Sequence, residues 1–79
     1  MNRPLLHNKL EVNYRVLRQG ETATVWLAMT RIQWVPAWLE GEQLNWALVQ
    51  ELQRSHPAAK QVAVDRVTVL RREVVLQER

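Results

Sequence analysis

The sequence predicts a small two-layer α+β domain: an antiparallel β-hairpin, one helix and a long bent C-terminal strand (ββαβ), with the helix packed on one sheet face. Three observations carry this. Leu10, Val12, Tyr14 and Val16 alternate with Glu11, Asn13 and Arg15, the period of a half-buried strand. Leu44, Ala47, Leu48 and Leu52 recur at helical spacing. From Val62 to Leu76 the chain is dominated by valine, a strand former. At 79 residues, one domain over 1–79 is expected. A chain this short buries only about 60% of its unfolded surface, so its core is thin.

Residues 1–8 contain Pro4 and mixed polarity and read as a short N-terminal arm. Residues 9–33 read as the hairpin. Gly20 follows Gln19 and is the residue type that supplies a positive φ in a tight turn. With a two-residue loop at Gly20-Glu21, Gln19 opposes Thr22, and Val16, Tyr14 and Val12 face Val25, Leu27 and Met29. Any even loop length keeps this apolar face together, so parity is better specified than register. On the opposite face Arg15 then lies across from Trp26 and Lys9 from Ile32, which is more apolar surface than a solvated face needs.

Pro36 lacks an N–H and forces Val35 to be extended, so the second strand is expected to end by Trp34. Trp34 and Trp38 flank this break, either as caps on the thin core or as a binding rim. Residues 40–55 read as the helix, with Glu40 and Glu42 where the dipole favours acids and Arg54 where it favours a cation. Trp46 falls off its apolar stripe. Residues 61–76 read as the C-terminal strand. Its apolar phase slips at Asp65-Arg66, the mark of a bulge, and again near Arg71-Arg72, where a turn would make the fold β-grasp-like (ββαββ). The expected core joins Val12, Tyr14, Leu27, Leu44, Leu48 and Val67.

Composition narrows the function classes more than it selects one. The chain has no cysteine, which removes disulfides and thiolate metal sites. No apolar run approaches the roughly 20 residues of a membrane span, and Met1 to Leu6 lacks the apolar centre of a signal peptide. A cytoplasmic protein without a membrane partner is expected. The net charge is +3, and arginine outnumbers lysine nine to two, a mildly basic protein.

No catalytic constellation is legible. Ser55, the one serine, adjoins His56 at a helix end, and Asp65 is the one aspartate. The glutamates at the helix start are explained by the dipole. His7 and His56 have no metal-ligand spacing, and the two glycines, Gly20 and Gly41, make no phosphate-cradling loop. The expectation is a non-enzymatic protein with no catalytic residue, no metal and no cofactor. It would bind a protein partner through a Trp/Arg-rich surface drawn from Arg15, Trp26, Arg31, Trp34 and Trp38, since Trp and Arg anchor interfaces. The alternative is a nucleic-acid-binding module that stacks bases on Trp26 with Arg and Lys on the phosphates. Val74, Val75 and Leu76 are apolar where a frayed tail would be polar, so a homodimer through this segment is a further expectation.

Overall fold

The structure, a computed structural model, describes residues 3–20 and 22–77, with the backbone alone at 3, 4 and 75–77. The chain runs β1 (Arg3–Gln19), β2 (Thr24–Pro36), α1 (Gly41–Ser55) and β3 (Gln61–Gln77). The strands form one three-stranded antiparallel sheet in the order β2-β1-β3. The first strand is therefore central, and the helix carries the chain from one edge to the other.

β1 begins at Arg3, so residues 3–8 are strand and not the separate arm expected from sequence. Their partners explain this. Leu6, Leu5 and Pro4 pair with Val74, Val75 and Leu76. A strand start is where a sheet accommodates a proline. The same pairing gives the C-terminal segment an inner partner within its own chain. The side chains of Val75 and Leu76 lie outside the described residues. β2 runs on to Pro36, past the expected stop at Trp34. It is an edge strand, where a missing N–H can face outward.

The β1–β2 register sets Gln19 opposite Thr24, Val16 opposite Leu27 and Tyr14 opposite Met29. Four residues connect the strands instead of two, which displaces the register by two and leaves both faces as expected. Gly20 works differently from its expected role: among the described residues Gly41 alone has a positive φ, at 62°. Gly20 instead permits a close approach. Its N–H donates to the Ala23 carbonyl at 2.8 Å, and a Cβ would lie 2.8 Å from that same oxygen.

β3 pairs with β1 through two register shifts that leave Asp65 and Leu70 without partners. The first is the bulge expected at Asp65-Arg66. The second replaces the possible turn near Arg71-Arg72, so β3 is one continuous strand and the ββαββ arrangement does not form.

The core comprises Leu10, Val12, Tyr14 and Val16 of β1, Val35 of β2, Leu48 and Leu52 of α1, and Val62 of β3. Leu44 and Val67 are half-buried against it. Leu27 does not join them. It is 42% exposed because α1 leans over β1 toward β3 and leaves most of β2 uncovered. The Tyr14 hydroxyl and His56 Nε2 are hydrogen-bonded at 3.0 Å, tying the helix end to the central strand. The Lys60 N–H donates to the Leu17 carbonyl at 2.7 Å and starts β3. A 15-residue helix is about 22 Å long. The molecule is 55 Å in its longest dimension, so both ends of the sheet overhang the helix.

Candidate functional site

The sheet face away from α1 carries the odd positions of β1 and the even positions of β2, because side chains alternate along a strand. It is uncovered. Trp26, Ile32 and Trp34 are 41, 48 and 39% exposed, which for three large apolar residues in one strand marks more than scattered exposure.

Two clusters organise this face. In the first, the Arg15 guanidinium lies 5.0 Å from the Trp26 ring centroid, while its Nε reaches both Asp65 carboxylate oxygens at 3.0 and 2.9 Å. Arg15 opposes Ala28, so Trp26 is its diagonal neighbour, still within reach of long side chains. The hydrogen bond that Arg15 donates to Asp65, then the negative charge of that carboxylate, raises the Arg15 pKa above its usual value. Asp65 is two residues beyond Ala63, the partner of Arg15, and so is its diagonal neighbour on this face. In the second cluster, Trp34, Lys9 and Arg71 form one row across the three strands. The Arg71 guanidinium sits 5.6 Å from the Trp34 centroid and Lys9 Nζ 6.0 Å from it. Glu73 pairs with Arg71 at 3.4 Å. The two indoles are eight residues apart on β2, about 26 Å along the strand.

Of the residues singled out from sequence, Arg15, Trp26 and Trp34 share this face. Arg31 does not. It opposes Val12 on the helix side, where it donates to the Ser55 hydroxyl at 2.9 Å. Its odd position in β2 already carried that information. Trp38 lies in the turn after β2 and, with Trp46, flanks an open groove of about 910 Å³ along the outer side of α1. That groove is a separate surface. Asp65, Arg71 and Glu73 complete the two clusters and were not singled out as site residues. Arg71 reaches its row only through the slip at Leu70, which has no local signal. Among the described residues, no group of three or more His, Asp or Glu side chains is placed to hold a metal ion. Among the same residues, no helix is long and apolar enough to cross a membrane.

No protein-family model matches the chain, and neither a curated protein nor a solved structure matches it.

Proposed function

We propose that the chain is a small non-enzymatic interaction module that binds a protein partner through the open sheet face. The observation that supports this is the pairing of both indoles on that face with an arginine that already has a carboxylate. Arg15 and Arg71 lie over Trp26 and Trp34 while bound to Asp65 and Glu73. Such a surface offers rigid amphipathic anchors with little net charge, the character of an interface centre. A nucleic-acid face has the opposite balance, with cations free for phosphates and indole faces free for bases. Here a base would have to displace Arg15 to stack on that side of Trp26. An adaptor, inhibitor or accessory protein fits this description, acting in the cytoplasm.

The test is capture of partners from the native host with wild type, Trp34→Ala and Trp46→Ala. A partner that is kept by Trp46→Ala and lost by Trp34→Ala is the expected result. Titration with single-stranded RNA and DNA at two salt concentrations provides the opposing outcome. Binding that falls steeply with salt and is lost in Trp26→Ala would replace the protein partner with a nucleic acid.

A further inference from the structure

The two edges of the sheet are built differently. β3 carries two bulges, at Asp65 and Leu70, and the charges of Asp65, Arg66, Arg71, Arg72 and Glu73. Bulges and charges are the devices by which sheet edges avoid pairing with other chains. β2 has neither. Its register with β1 is unbroken over thirteen pairs, and Arg31 is its one charged residue. It is exposed on both faces as well as on its outer edge. Val25, Leu27 and Met29 on the helix side are 44, 42 and 38% exposed, and Trp26, Ile32 and Trp34 project from the other face.

We propose that the outer edge of β2 pairs antiparallel with the same edge of a second copy of this chain, forming a continuous six-stranded sheet. The proposal goes beyond the open-face reading: it concerns the outer edge of β2, which Trp26, Ile32 and Trp34 of the open face border. Self-complementarity selects the second copy as occupant. A two-fold axis perpendicular to the sheet sets only residues of like parity opposite each other, because directly opposed antiparallel residues share a face. In the register centred on Leu27, the Val25, Leu27 and Met29 row meets its own copy. The helices lie on one side, flanking an apolar trough. The single Arg31 meets its counterpart in just one register, so charge does not oppose the pairing elsewhere.

The available area fits only a weak, reversible dimer, held mainly by backbone pairing along the edge. Taking about 200 Å² for a large apolar residue, the six exposed side chains of β2 offer on the order of 500 Å² per chain. Edge pairing covers only part of each face, so the two copies together bury less than about 1,000 Å², the range of a weak, reversible association. Closure follows from the edge asymmetry. Head-to-tail pairing of β2 on β3 would grow a fibre, and the bulged, charged β3 edge opposes it.

Sedimentation across a wide concentration range, up to the solubility limit, provides the test. Wild type should show the mass of two chains, Leu27→Glu the mass of one, and Leu70→Glu on the opposite edge the mass of two. The chain has no cysteine, so a single nitroxide label can be placed without relying on a disruptive variant. A label on Ala28→Cys should show dipolar broadening, since paired edges are one strand spacing apart, about 5 Å. A label on Leu70→Cys should not, because β3 and its copy would lie five spacings apart, about 24 Å. A one-chain mass at every concentration overturns the proposal. So does a dimer that survives Leu27→Glu and broadens the label at position 70.

Discussion

Trp26 and Tyr14 sit on opposite faces of the same sheet, and their surroundings assign them opposite work. Trp26 is covered on one side by Arg15, is 41% exposed and lies outside the core cluster, so its removal takes little from the core. Trp26→Ala is expected to weaken partner binding by at least about 2 kcal/mol, the range of an interface hot spot. The melting transition of the free chain should change far less. Unfolding of that variant would make Trp26 a core residue and remove it from the site. Tyr14 is 4% exposed, and its hydroxyl is spent on His56. Tyr14→Phe keeps the ring and deletes one hydrogen bond, which typically contributes about 0.5–1.5 kcal/mol. Denaturant titration should show a loss of that size with an unchanged slope. An unchanged midpoint would mean that the Tyr14–His56 bond does not hold the helix end in solution.

At the scale of elements, α1 has one working face. Leu48 and Leu52 are buried against β1, while Trp46 is 66% exposed on the far side. Leu48→Ala should cost about 2–5 kcal/mol, enough to unfold much of a domain with so thin a core. Trp46→Ala should leave stability nearly unchanged. Equal melting temperatures for the two variants would contradict the orientation of the helix. This face was legible because a 3.6-residue period marks it directly. The faces of the hairpin were legible for a similar reason, since parity survives any even error in loop length. Register was not, because nothing in Gly20 to Ala23 states how many residues the loop holds. The slip at Asp65 showed as a phase change between Val64 and Val67. The one at Leu70 was displaced to the neighbouring arginines, because charged residues there hide the apolar phase. Residues 3–8 carry no apolar alternation: Leu5 and Leu6 are both exposed, and the buried position, Asn8, is polar. The lean of α1 toward β3 belongs to tertiary packing and leaves no trace in any local pattern. It is also what uncovers Leu27, so the one misplaced core residue and the exposed β2 edge have a single cause.

The whole molecule is an elongated plate clamped at its middle. Its radius of gyration is 15.0 Å, whereas a compact chain of this length would have about 12 Å. The excess comes from the two overhanging ends, one made by the hairpin end of the sheet and the other by the paired start of β1 and end of β3. Stability therefore varies along β1. Leu10, Val12, Tyr14 and Val16 are buried under the helix, and their stretch opens only when the domain unfolds. At the terminal end, Leu5 and Leu6 are exposed, and opening there costs a few ladder hydrogen bonds and little buried surface. Hydrogen exchange should accordingly give a gradient along one continuous strand. Backbone amides between Leu10 and Val16 that bond across the sheet should be the slowest. Protection should fall toward Leu5 at one end and toward Arg18 at the other. Leu48→Ala should speed exchange in the centre far more than at either end, because the ends never depended on the helix. Uniform protection from Leu5 to Arg18 would show instead that the sheet opens as one unit, and that something besides α1 covers its ends.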